Sequence, residues 1–336
     1  MKDWWYRNWQ TVLSSTVVAA LIAAVVSIIV ASINKRKKKA APPALPDLSG
    51  QPQPSKKSLS YSRGQVAYEH LNYQEAAQYF EQAAREYEED SLDRAKALNM
   101  AGIVYRLLAQ YDNAIKCYDE AQAIYNGDPQ ANQIYLSWIY NNLAVVFRNQ
   151  GNYDQALLWY SKDLKITEAE LGENHPEAAK TYNNIAVVYY SQEKYGKALD
   201  YHNKALQIQE EILDKDDPFT ARTYGNIANI YRDQGKLDDA LEYYYKALQI
   251  FETRLGKDHH ETAYAYEAIA ITNRKQEKYD DAFALYLKAY LIYRDRFNKK
   301  HTDATSCLHN LRINYKASGR KLPFRLWLFF RLRKKK

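Results

Sequence analysis

Cysteine and glycine are both scarce in this chain, and each shortage removes a class of protein. Cys117 and Cys307 are the only cysteines in 336 residues, too few for a disulfide framework or for a zinc site built on paired thiolates. There is no N-x-Ser/Thr sequon either, which agrees with a reducing compartment. The eleven glycines form no phosphate-cradling G-x-x-x-x-G-K-S/T loop, and H-E-x-x-H and G-x-S-x-G are missing too. The expectation is a protein that is not an enzyme and that needs no cofactor. Acidic charge is sparse at the ends and plentiful between them. Net charge is +7, yet Lys and Arg exceed Asp and Glu by 6 over residues 1–39, by 1 over 40–57 and by 8 over 320–336, leaving 58–319 at −8. A basic pI of that origin describes the termini, so no nucleic-acid partner is expected of the body.

What the chain has in abundance is recurrence. The stretch 182–206, YNNIAVVYYSQEKYGKALDYHNKAL, carries a Tyr195-x-x-Ala198 element with copies at Tyr73/Ala76, Tyr111/Ala114, Tyr153/Ala156, Leu237/Ala240 and Tyr279/Ala282. The alanines step by 38, 42, 42, 42 and 42 residues. A fixed period of this length indicates stacked units, each too small to bury its own apolar face. Inside a unit the period is helical. Tyr140, Leu143, Ala144 and Phe147 mark one face of a first helix, Gly151-Asn152 breaks it, and Tyr153, Ala156, Tyr160 and Leu164 mark a second. Small residues stand where the two helices must cross: Gly102/Ala114, Ala144/Ala156, Ala186/Ala198, Ala228/Ala240 and Ala270/Ala282.

Either side of the array the composition changes. Residues 11–33 hold no charge over 23 positions, enough for a helix to cross a bilayer core of about 30 Å. The basic block Lys35–Lys39 that follows predicts a short outer segment, 1–10, with everything after residue 34 on the cytoplasmic side. Residues 34–57, basic and then proline-rich, read as a linker. At the other end, 302–319 half-keeps the repeat pattern and reads as a capping helix, while 320–336 is apolar and basic together. A short helix packed on the cap and a second membrane contact through 324–336 are both open readings of that tail. His175, His259 and His301 recur at the joints, without the carboxylate or thiolate cluster that a metal site needs, so no metal is expected.

The run of small and aromatic positions, as in Ala186, Tyr189, Ala198, His202, Ala205 or Ala228, Tyr231, Ala240, Tyr244, Ala247, resembles the tetratricopeptide repeat. The 42-residue period and the connectors LGENHPEA (171–178) and LGKDHHET (255–262) are similar to the subclass found in kinesin light chains. Six repeats match, starting near 60, 94, 136, 178, 220 and 262, so that 58–301 is the repeat domain. Asp163 stands where alanine is expected, Leu237 where tyrosine is, and Asn273 in place of an aromatic. The resemblance implies an all-α, right-handed superhelical solenoid, here preceded by one transmembrane helix, and a concave groove lined by the first helices that binds protein partners.

On that register the groove residues are Asn142, Asn184 and Asn226, with Asn310 in the cap and Asn229 further along; Asn99, Asn141 and Asn183 at the adjacent position; and Arg106, Arg148, Arg232 and Arg274. Lys180, Arg222, Trp138 and Tyr264 complete the set. Side-chain amides both donate and accept, and arginine forks take carboxylates bidentately, so an acidic, extended protein segment is the expected ligand. The carboxylate clamp of some relatives is not implied, because lysine is absent where Asn99, Asn141, Asn183 and Gly225 stand. Two roles fit: a membrane-anchored scaffold that assembles a complex, or a regulator that holds a signalling enzyme or transcription factor at the membrane. Self-association through the tyrosine-rich outer faces is a third possibility.

Overall fold

The computed structural model describes residues 51–319 apart from 52, 215 and 298–301. The membrane span expected over 11–33, the outer segment 1–10 and the tail 320–336 lie outside these residues. Among the described helices none is long and apolar enough to cross a membrane.

Thirteen helices are described. They are α1 (Leu59–Glu69), α2 (Tyr73–Glu86), α3 (Leu92–Leu107), α4 (Tyr111–Tyr125), α5 (Gln133–Asn149), α6 (Tyr153–Leu171), α7 (Pro176–Ser191), α8 (Tyr195–Ile212), α9 (Pro218–Asp233), α10 (Leu237–Arg254), α11 (His260–Lys275), α12 (Tyr279–Phe297) and α13 (Thr302–Ala317). Each odd helix pairs with the even one after it, giving six hairpins, and each hairpin packs on the next. First helices of neighbouring hairpins, such as α7 and α9, also touch each other directly. That contact puts the odd helices on the inner side of the stack. The extra residues of the long period go into the second helices: α6, α8, α10 and α12 have 18 or 19 residues, against 14 in α2 and 15 in α4.

Local chemistry sets the boundaries. Pro176 and Pro218 open α7 and α9, where no amide hydrogen is missed. The joint histidines fix helix starts, since the Nδ1 atoms of His175 and His259 cap α7 and α11 by accepting the backbone N–H of Glu177 at 3.2 Å and Glu261 at 3.3 Å. No cluster of three or more metal-binding side chains exists among the described residues. Inside the hairpins the turn needs one left-handed residue. Gly151 and Gly235 supply it at φ 75° and 78°, while Ala109, Glu193 and Glu277 adopt it at 55–61° without the freedom of glycine.

The core is an aromatic file on a bed of alanines. Phe80, Tyr118, Tyr160, His202, Tyr244 and Tyr286 stand at one register position of the second helices, each at most 1% exposed. Fully burying such a ring stabilises the fold by about 1.5–3 kcal/mol. Every small-residue crossing named above is completely buried or glycine. Gly102 shows why: a Cβ there would come within 2.5 Å of the Tyr118 ring. Outside the core a second ladder ties hairpin to hairpin, as Tyr182 donates to Glu168 and Tyr224 to Glu210, each at 2.6 Å, and Tyr266 to Glu252. Lys204 and Lys288 lie over Tyr182 and Tyr266 of this row, and Lys162 and Lys246 over Trp159 and Tyr243 of the second helices, each contact contributing about 0.5–1 kcal/mol.

Over the stretch read as a cap, α13 packs on α12 with Ala304, Cys307, Leu311 and Tyr315 buried. The linker, read as 34–57, ends sooner than its composition suggested. Residues 53–57 lie against the first two hairpins, and Pro54 is buried there.

Candidate functional site

The inner surface of the stack carries the residues expected to bind, and it divides them into two sets. Four of the asparagines are committed within the stack, Asn99, Asn142 and Asn183 across neighbouring hairpins and Asn141 inside its own. Asn142 Nδ2 donates to Asn99 Oδ1 at 2.8 Å, and Asn99 Nδ2 donates to Gln51 Oε1 at 2.9 Å. Asn141 donates to Asp163 at 2.9 Å. Asn183 donates to Thr223 at 2.8 Å, and its Oδ1 is 2.7 Å from His202 Nδ1. Asn99, Asn142 and Asn183 are buried. An open ladder of amides at these positions is therefore corrected to a set of joints between hairpins. Asn184 and Asn226 belong to the other set. Both are half-buried and hydrogen-bond no side chain among the described residues. They stand at equivalent places on the adjacent inner helices α7 and α9.

The arginines turn partly inward. Arg232 Nη1 donates to Tyr244 Oη at 2.9 Å, while its Nε reaches Asp233 at 3.0 Å. Arg106, Arg148 and Arg274 lie near the equivalent phenols Tyr118, Tyr160 and Tyr286, each twelve residues further on. Burial pushes the Tyr160 and Tyr286 hydroxyls up to about 12, and the nearby guanidinium opposes that rise. A row expected to offer four open forks is thus half committed to its own tyrosines. Hairpin four departs from the scheme: Tyr190 replaces the arginine and donates to Asp233, and His202 replaces the buried tyrosine. Lys180 pairs with Glu177 at 2.5 Å and Arg222 with Glu261 at 2.9 Å, so these cations are locally matched. Trp138 is half-buried, its ring set edge-on to Tyr135 at 5.8 Å.

These groups converge most closely between α7, α9 and α11. A pocket of about 280 Å³ is lined there by Tyr190, Asn229, Arg232, Tyr264 and Glu267, over Ala268 and Ile271. Asn229 sits at its centre, accepting from Tyr244 Oη at 2.6 Å and donating to Tyr264 Oη at 3.3 Å. Tyr264 remains 47% exposed. Burial opposes ionisation of Asp233, but hydrogen bonds from Arg232 and Tyr190 outweigh it and hold the carboxyl below the usual range. Glu267 goes the other way, since burial raises its pKa although Asn310 donates to it at 2.9 Å. Glu267 was missed in the sequence, where its signal was a carboxylate at the register position of Asn99, Asn141 and Asn183.

A second missed feature is the surrounding of Asp163. This carboxylate is 3% exposed and accepts from Ser137, from Asn141 Nδ2 at 2.9 Å, from Thr181 at 2.7 Å and from Thr167 at 3.2 Å. Burial raises its pKa, and the four donors offset part of that rise. They come from α5, α6 and α7, so the group knits hairpins three and four.

A stack of helix hairpins with a polar, pocketed inner side and no reactive cluster among the described residues is the build of a repeat protein that binds other proteins. The chain belongs to the tetratricopeptide repeat family: that family matches residues 61–129, 135–211 and 219–295. No curated protein matches it. Among solved structures it is similar to BtubC (BKLC) from P. vanneervenii, at 24% identity and a TM-score of 0.54 over 63% of this chain and 84% of that one. A putative kinesin light chain from Podosopora anserina gives 18% identity and 0.48 over 56% and 88%. Aspartyl phosphate phosphatase F from Bacillus subtilis gives 19% and 0.55 over 79% and 72%. At these identities the likeness to BtubC and to aspartyl phosphate phosphatase F establishes the fold alone.

Proposed function

We propose that this protein is a membrane-tethered scaffold whose inner groove, from hairpin three to hairpin six, holds an acidic, extended segment of a protein partner during assembly of a membrane complex. The observation that carries the reading is the pair Asn184 and Asn226. They are adjacent along the groove, half-exposed and uncommitted, while the other amides of the row are spent on joints. Two amides one hairpin apart can each donate to and accept from an extended backbone. Arg148, Arg232 and Arg274 flank them, with the Tyr264 pocket next in line for an aromatic or hydrogen-bonding side chain. A carboxylate on the ligand would share Arg232 with Asp233. Tethering rests on the uncharged run 11–33.

Binding of the full chain in detergent to a synthetic peptide array graded in Asp and Glu content tests the reading. Acidic peptides should be retained in preference to neutral ones, and more weakly at high salt. The double variant Asn184→Ala/Asn226→Ala should lose affinity by about thirtyfold, since two hydrogen bonds at about 1 kcal/mol each are removed. Its melting curve should match that of the parent, because neither amide supports the fold. Unchanged affinity in that variant would sink the proposal. Arg232→Ala is a poorer probe, as it removes the donor to the buried Tyr244 hydroxyl, leaving that hydroxyl only its bond to Asn229.

A further inference from the structure

The first two hairpins present a different picture from the other four, because something already lies on them. Residues 51 and 53–58 are held there by main-chain and side-chain bonds that no loop of this composition needs. The Asp93 carboxylate, in the first turn of α3, accepts from Ser55 N at 2.8 Å, Ser55 Oγ at 2.6 Å and Lys56 N at 3.3 Å. Tyr87 Oη accepts from Ser58 N at 2.9 Å and donates to the Lys56 carbonyl at 2.8 Å. Gln53 Oε1 takes Tyr61 Oη at 3.2 Å and Gln65 Nε2 at 3.0 Å. Pro54 is buried between these contacts, and Gln51 reaches Asn99, which in turn accepts from Asn142. The segment therefore ends on the inner row itself.

We propose that residues 51 and 53–57 are a built-in ligand of the array, a Gln/Pro segment that occupies in cis a docking surface made by Asp93, Tyr87, Tyr61, Gln65 and Asn99. The surface reads main chain: Asp93 and Tyr87 together bind main-chain N–H groups and one carbonyl of the segment, the mode by which extended peptides are captured. Burial opposes the charge on Asp93, and the Ser55 and Lys56 donors outweigh it, so the carboxylate is held ionised against the segment. Lys96, at 3.5 Å from Asp93, supplies the nearest opposite charge. The occupied end begins at α1 and reaches Asn99, leaving hairpins three to six for an outside ligand. A partner strand long enough to reach hairpin two has to displace this segment first.

Two readouts on the full chain in detergent test the assignment, and neither uses the outside partner, so its failure and that of the scaffold reading are separable. In hydrogen exchange, peptides covering 53–58 should be protected, and both Asp93→Ala and Tyr87→Phe should speed exchange there by about tenfold. Tyr87→Phe keeps the ring, so it guards against a loss caused by misfolding of α3. In a binding assay the probe is a fluorescent peptide of residues 49–58, SGQPQPSKKS. A full chain with 51–57 replaced by Gly/Ser of equal length should bind it, the parent should bind about tenfold more weakly, and the Gly/Ser chain carrying Asp93→Ala should not bind. Coil-like exchange of 53–58 in the parent, or failure of the Gly/Ser chain to bind the probe, overturns the proposal. So does protection that falls on dilution, which would assign the segment to a second copy.

Discussion

At the scale of the residue, hairpins three and four carry buried groups whose charge responds to pH, Asp163 in the one and His202 in the other. His202 is 1% exposed, and burial depresses its pKa to about 4. Its neutral form is the one that fits beside Asn183. Well above its ordinary pKa of about 6.5 the ring is neutral whether the chain is folded or not, and no stability depends on it. Between about 6.5 and 4 the unfolded chain takes up a proton that the folded one refuses, so stability falls with pH, by up to about 3 kcal/mol. Asp163 acts in the opposite sense. Its raised pKa makes the charged form costly in the fold, and acidification through that pKa relieves the cost. Denaturant midpoints between about pH 7 and pH 4.5 should therefore drop in the parent. His202→Tyr, which restores the residue of the other hairpins, should drop less or rise. An equal drop in both would show that other groups govern acid sensitivity.

The same scale explains what the sequence hid. Consecutive helical residues are turned by about 100°, so Asn183 and Asn184 cannot both face a ligand. Asn183 points into the joint with Thr223, and Asn184 stays on the groove. Register identifies the row to which a residue belongs, but whether an amide there meets a ligand or the next hairpin depends on what stands opposite it. The partner of Asn183 is forty residues away and that of Asn142 forty-three. Asp163 was visible only as an exception to alanine; its four donors, spread over three helices, were not.

Elements were far more legible. Alanine spacing placed every hairpin crossing, glycine and proline placed the ends of α6 and the starts of α7 and α9, and the structure adds the strain that each turn carries. Glu193 holds φ 59° where hairpins three and five use Gly151 and Gly235. A left-handed residue with a side chain costs about 1–2 kcal/mol, and the greater freedom of glycine in the unfolded chain takes back about 0.5–1 kcal/mol. Glu193→Gly should thus stabilise the array by about 0.5–1 kcal/mol in denaturant titration. Gly102→Ala should do the reverse, by about 1–3 kcal/mol, because its methyl meets the Tyr118 ring rather than a movable side-chain tip. A neutral result at Gly102 would mean that α3 and α4 can spread, against the packing described.

For the whole molecule the outstanding matter is the membrane, and the charge distribution frames it. The array is acidic at −8 while both ends are basic, so an anionic lipid surface should repel the body and attract the ends. If 11–33 spans, the full chain must survive alkaline carbonate extraction. The variant Ile22→Arg/Val26→Arg should be released, since each arginine near the centre of a span costs about 2.5–3.5 kcal/mol. Protease added outside intact cells should leave 58–319 uncut and should cut it after the membrane is opened, as the Lys35–Lys39 block predicts. Cleavage from outside would invert the topology. The tail is separable from the span by salt. A chain lacking 1–39 should sediment with anionic vesicles at low ionic strength and come off at high ionic strength, and further removal of 320–336 should abolish sedimentation. No sedimentation of the spanless chain, with or without 320–336, would leave the span as the sole membrane element and return the tail to the cap.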